Sequence, residues 1–189
     1  RVLTITYAVG GAGAQREAGR QIAESLRPRI EKGEVILNLV AGIRQDVRDC
    51  FEKIKSDLLP GATGLRILFS ADKTEYFRLF AQAMRSTDIL WTKPSELSFY
   101  CGLGIPIIMS PPIGAQERYN AKWLMEIHAG IPQEDPRYAG EWLFDLLSEG
   151  RLAEAAWDGF LKARKYGTYK ILDLLKTGTM QRDPSPLKR

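Results

Sequence analysis

Apolar residues fall in short blocks along the chain, and each block is followed by a stretch in which they recur every three or four positions. Val2, Leu3, Ile5, Tyr7 and Val9 mark an opening strand, after which Ala18, Ile22, Leu26 and Ile30 share one helix face. Glu34 to Val40 is an apolar run of strand length. Val47, Cys50, Phe51, Ile54 and Leu58 then return to helical spacing, with Pro60-Gly61 as the stop. A third strand is predicted over Leu65 to Phe69, a third helix by Tyr76, Leu79, Phe80 and Ala83, and a fourth strand over Asp88 to Trp91. Pro94 suits the first turn of a short helix ending near Gly102 or Gly104, and Pro106 to Met109 reads as a fifth strand. Beyond Ser110-Pro111-Pro112-Ile113-Gly114, a longer helix carries Tyr119, Trp123, Leu124 and Ile127. From about Ala139 only helical spacing remains, through Trp142, Leu143, Leu152, Phe160, Tyr169, Leu172 and Leu175.

Strands alternating with helices require right-handed crossovers, so the predicted fold class is α/β: a Rossmann-like, doubly wound parallel sheet with C-terminal helices. Residues 1–176 form the expected folded unit, and 177–189, with two prolines and no apolar period, the expected disordered tail. A strand without any polar lead-in suggests that the sequence opens inside a longer chain.

The length of 189 residues suits one domain, and 44% hydrophobic with 26% charged residues is a globular balance. A net charge of +4, evenly interspersed, is too small for a dedicated nucleic-acid protein and supports only a modest preference for anions. Apolar runs such as Ile105 to Met109 fall far short of the roughly 20 residues of a membrane span. With no signal peptide, the expected location is cytoplasmic. Cys50 and Cys101 read as free thiols, and a single histidine argues against a structural zinc, so no metal is expected.

In an open parallel sheet, ligands bind beyond the carboxyl ends of the strands. Three loops should face one crevice there: Val9 to Gln15, Trp91 to Glu96 and Ser110 to Gln116. The first, with Gly11, Gly13, Ala14 and Gln15, lets backbone N–H groups approach an anion such as a diphosphate at a helix N-terminus. It equally suits a turn that simply brings a helix close to the sheet, and it is neither a Walker loop nor a GxGxxG. In the second, Thr92 and Ser95 offer hydroxyls and N–H groups to phosphates, and the two oxygens of Glu96 suit the vicinal hydroxyls of a ribose. An acid in a first helical turn also has the ordinary explanation of the helix dipole. In the third, the amides of Gln116 and Asn120 can donate to and accept from sugar hydroxyls, or simply cap a solvated helix.

These pieces in this order, a Gly-rich turn, T-K-P-S-E-L-S-F-Y-C-G-L-G-I-P-I-I-M and G-A-Q-E-R-Y-N-A-K-W-L, resemble the donor-binding half of GT-B glycosyltransferases. The likeness is to the group of monogalactosyldiacylglycerol synthase and the N-acetylglucosaminyltransferase that makes lipid II. It implies that Glu96 is the ribose carboxylate, that Pro94 and Ser95 form the turn beside the diphosphate, and that Gln116, Glu117 and Asn120 form the sugar-reading motif. Gly11, Gly13, Ala14 and Gln15 match the loop that closes over the phosphates. Lys93-Pro94 stands where small residues are commoner, and Ser110-Pro111-Pro112 is a stiffer loop than most of the group carry.

The resemblance further implies a UDP-sugar donor as substrate rather than cofactor, and a lipid or glycan acceptor. It implies an N-terminal acceptor domain that this chain does not hold, and a full-length form peripheral to a membrane. The catalytic base would come from that other domain, so no catalytic residue is assigned here. Lys93 and Arg16 are the candidates to offset charge on the leaving diphosphate. The alternatives are a sugar-nucleotide epimerase of the same fold and a non-catalytic nucleotide-binding module. His128 reads as a helix C-terminal histidine, and Trp142, Trp157 and Tyr169 as core or domain-interface anchors.

Overall fold

The computed structural model describes residues 1–9, 15–95 and 97–179. Strands and helices alternate as β1 (Leu3–Ala8), α1 (Arg16–Glu31), β2 (Val35–Gly42), α2 (Gln45–Leu58), β3 (Leu65–Phe69) and α3 (Lys73–Met84). They continue as β4 (Ile89–Thr92), α4 (Leu97–Gly102), β5 (Ile107–Met109), α5 (Ala115–Glu126) and β6 (Gly130–Pro132). A 3-10 turn at Pro136–Tyr138 leads into α6 (Ala139–Ser148), α7 (Arg151–Lys162) and α8 (Gly167–Thr177). The predicted elements are recovered with small shifts at their ends. Pro94 and Ser95 form a bend ahead of α4 instead of its first turn. The sixth strand was not predicted, because three residues that include a glycine and a proline carry no strand pattern of their own.

All six strands are parallel, in the order β3-β2-β1-β4-β5-β6. This is the doubly wound Rossmann order, whose direction of growth reverses between β1 and β4. Helices therefore cover both faces, and β2, β4 and β5 read as apolar runs, whereas β1 alternates through Thr4 and Thr6. On one face Ile5, Tyr7, Leu37, Leu39, Trp91 and Ile108 pack with Ile22 and Leu26 of α1, Val47, Phe51 and Ile54 of α2, and Trp142 and Leu143 of α6. On the other, Ile107 and Met109 meet Leu97 and Cys101 of α4 and Leu124 of α5, while Leu90 meets Met84 of α3. Asn38 Nδ2 donates to Thr6 Oγ1 at 3.0 Å, and Thr6 and Thr87 share a hydroxyl hydrogen bond of 2.8 Å, so the polar groups buried inside the sheet are satisfied.

The two cysteines are free, with Cys101 buried and Cys50 half-buried. Trp142 belongs to the core, its indole N–H donating to the Asp135 carbonyl at 2.9 Å, whereas Trp157 and Tyr169 are 64% and 67% exposed. Thr177 is helical, so the expected tail begins later than its first residue, and residues 180–189 lie outside the described chain.

One glycine sets how closely α7 lies on the site-bearing side. A Cβ at Gly159 would stand 2.8 Å from the Cys101 carbonyl oxygen of α4. Gly159→Ala is therefore expected to cost about 1–3 kcal/mol by overpacking, read as a lower urea midpoint at unchanged m-value. An unshifted midpoint would mean that α7 can move off α4 freely.

Candidate functional site

The reversal of strand order places the end of β1 beside the end of β4, with Ala8 paired to Thr92. The chain leaves β1 toward α1 on one face and β4 toward α4 on the other, so a crevice opens between the two loops. The Thr92 hydroxyl donates to the Ala8 carbonyl at 3.2 Å and closes the floor of that crevice.

Three cross-ties join the loops. Gln15 ends the first loop in a left-handed conformation, φ 68°, which is strained for a side-chain-bearing residue. The buried Tyr7 phenol donates to its carbonyl at 2.7 Å, and its own Nε2 donates to the Pro111 carbonyl of the third loop at 3.0 Å. Burial pushes the Tyr7 phenol well above its usual range, with the nearby Ser110 hydroxyl acting weakly in the other direction, so it remains a donor. Asn120, one turn into α5, donates through Nδ2 to the carbonyls of Pro94 and Ser95 at 3.0 and 3.1 Å and fixes the second loop. Lys93 Nζ lies 2.9 Å from Glu117 Oε1, with side-chain exposures of 11% and 18%. The other Glu117 oxygen accepts from the Ile113 N–H at 2.7 Å.

The sequence-predicted residues thus sort by partner. Thr92, Lys93, Pro94, Ser95, Gln116, Glu117, Asn120 and Gln15 lie on loops and helix starts along one edge of the sheet. Gln116 and Ser95 are exposed, while Asn120 and Glu117 are engaged in holding loops. Arg16 pairs with Asp46 at 3.0 Å on the solvent side. Gly11, Gly13, Ala14 and Glu96 lie outside the described residues. His128 follows α5 at φ 61° with Nδ1 3.3 Å from Asp158, the helix-end position expected of it. Tyr7 carried no sequence signal, and Ser110 opened the third predicted loop without a role of its own. Tyr7 reads as one more apolar strand residue, and Ser110 is 2% exposed with an oxygen that, like Gln15 Oε1, has no hydrogen-bond partner among the described residues. A cleft of about 410 Å³ lies behind the third loop, lined by Met109, Ser110, Pro111, Arg118, Met125 and Gln133 among others.

Burial pulls the Glu117 carboxyl upward, but the Ile113 N–H, Lys93 and the Gly114 N–H more than offset it, leaving it below its ordinary value of 4.5. A lowered carboxylate contributes stability at neutral pH and loses that contribution as the pH falls through its folded value. Glu117→Gln is accordingly expected to be less stable than the unaltered protein at pH 7 by about 1–3 kcal/mol. The two should converge as the pH falls below 4.5. Denaturant unfolding at pH 7 and pH 3 checks this, and a difference independent of pH would show that the charge contributes nothing.

The chain belongs to the family described as Domain of unknown function (DUF6938), whose model matches residues 45–171. No curated protein matches it. Among solved structures it is similar to MnaA of S. aureus, in a co-structure with UDP, at TM-score 0.64 and 10% identity over 93% of this chain and 46% of that one. Similarity to MurG of Acinetobacter baumannii gives TM-score 0.63 and 22% identity over 93% of this chain and 50% of that one. The C-terminal CMP-Kdo binding domain of WaaA, also from Acinetobacter baumannii, aligns at TM-score 0.59 and 12% identity, covering 84% of this chain and 87% of that domain. At such identities the likeness is one of fold: the Rossmann-like α/β architecture expected for one half of a GT-B protein. The chain spans about half the length of the MnaA and MurG chains.

Proposed function

We propose that this chain is the sugar-nucleotide-binding, C-terminal half of a GT-B glycosyltransferase, taking a UDP-sugar as donor. The observation that carries the reading is that Gln15, Lys93, Pro94, Ser95 and Pro111, which flank the three candidate loops, are brought together beyond the ends of β1, β4 and β5 at the switch point. Backbone N–H groups at the starts of α1, α4 and α5, with the Lys93 ammonium nearby, supply positive potential where a leaving diphosphate gains charge. Glu96 is the ribose ligand in this reading, Gly11, Gly13, Ala14 and Gln15 the phosphate loop, and Gln116 the exposed amide that reads the sugar. The Gln116-Glu117-x-x-Asn120 element favours transfer to an acceptor over epimerisation.

The acceptor, a lipid or glycan, and the catalytic base belong in this reading to an N-terminal half of the same protein. The last two helices support a partner surface: Trp157, Tyr166, Tyr169, Ile171 and Leu175 are all exposed, and α8 buries no residue. No described helix is long and apolar enough to cross a membrane.

The test is a thermal-shift and calorimetric panel of UDP, GDP, ADP and UDP-sugars. A ligand at 100 times its dissociation constant adds about 2.7 kcal/mol of stability. Selective stabilisation by UDP compounds, abolished by Glu96→Ala, is the expected outcome. Equal response to all three nucleotides, or indifference to Glu96→Ala, would sink it. Turnover of a sugar nucleotide by the full-length protein without any acceptor would select the epimerase reading instead.

A further inference from the structure

Lys93 and Glu117 are assigned to different parts of a sugar nucleotide, one to its phosphates and one to its sugar, yet in this structure they hold each other. The pair bridges the second and third loops, and neither side chain has much water: 11% and 18% exposed at a separation of 2.9 Å. A lysine so far removed from solvent needs a counter-anion, and Glu117 supplies it. Glu117 has a second anchor that does not depend on Lys93, the Ile113 N–H at 2.7 Å, and it sits in the first turn of α5 where the helix dipole favours a carboxylate. It can therefore lose the lysine and stay in place.

Resting on the reading of this crevice as a sugar-nucleotide site, we propose that Lys93 and Glu117 form an exchangeable latch that sets specificity for sugar-bearing nucleotides. The diphosphate takes Lys93 from Glu117, and the freed Glu117 oxygen accepts hydrogen bonds from hydroxyls of the donor sugar. Phosphate and sugar recognition are thereby coupled through one ion pair. A nucleotide without a sugar breaks the pair and leaves Glu117 unmatched, whereas a nucleotide sugar satisfies both groups. Lys93 is a phosphate ligand in this scheme, but one whose charge Glu117 masks until the diphosphate arrives.

A static strut and an exchangeable latch differ in the sign of one substitution. Glu117→Gln keeps the shape of the side chain and an acceptor for the Ile113 N–H, but removes the carboxylate that competes with the diphosphate. Calorimetry with UDP and with UDP-N-acetylglucosamine and UDP-glucose as the sugar-bearing probes reads the result. The latch predicts that Glu117→Gln binds UDP about tenfold more tightly than the unaltered protein and loses the advantage of UDP-sugars over UDP. Lys93→Met should weaken all of them about tenfold or more. Thermal melts confirm that each variant is folded, and Glu117→Met, uncharged and of similar length, provides a second variant with the same expected sign. If the Glu117 variants weaken UDP as Lys93→Met does, the pair is a strut and the latch is overturned while the site stands. If the unaltered protein binds neither UDP nor its sugars, the reading of the crevice fails, and the latch with it.

Discussion

The pairing of β1 with β4 is the constraint on which the rest of the molecule depends. Every strand is parallel, so every strand-to-helix loop emerges at the same edge of the sheet. At the β1–β4 seam, where the order of strands reverses, neighbouring strands send their chains to opposite faces and a crevice opens between them. The register that sets Ala8 against Thr92 brings the first and second loops level, and the pairing of Thr92 with Met109 brings the third loop level with both. Residues separated by about a hundred positions thus meet without any long connection having to fold inward.

Once level, the loops are tied by polar contacts instead of packing. A left-handed non-glycine residue costs roughly 1–2 kcal/mol, and Gln15 adopts that conformation while its carbonyl and amide are held by Tyr7 and Pro111. Two hydrogen bonds at about 1 kcal/mol each are enough to offset the strain. Asn120 does the same for the bend at Pro94 and Ser95, donating to both of their carbonyls. Gln15 and the bend at Pro94 and Ser95 are therefore held by contacts within this chain.

Most of the fold was legible because buried parallel strands and one-sided helices write strong periodicities. β6 was not, since its three residues are held by pairing with β5 and not by propensity. The bend at Pro94 was read as a helical turn because proline suits both, and what decides between them is the distant Asn120 side chain. The residue types of the loops were legible as candidates for phosphate and sugar contacts, although Gly, Pro, Ser and Asn are also ordinary turn residues. Their pairings were not: nothing local says that Lys93 meets Glu117, that Arg16 turns to Asp46, or that Tyr7 holds a carbonyl. Trp157 and Tyr169 show the complementary limit, since helical spacing marks an apolar face without saying whether this chain covers it.

Electrostatics of the crevice follow from the same pairings. Arg16 is matched by Asp46, Arg20 by Asp57 and Lys93 by Glu117, so the cations near the first helix and the second loop are nearly neutralised by side chains. The oriented backbone N–H groups at the helix starts add a field that falls off within a turn. A field of that kind rewards a phosphate placed within hydrogen-bond distance and does little for one farther away. A net charge of only +4 adds little long-range attraction to that short-range field.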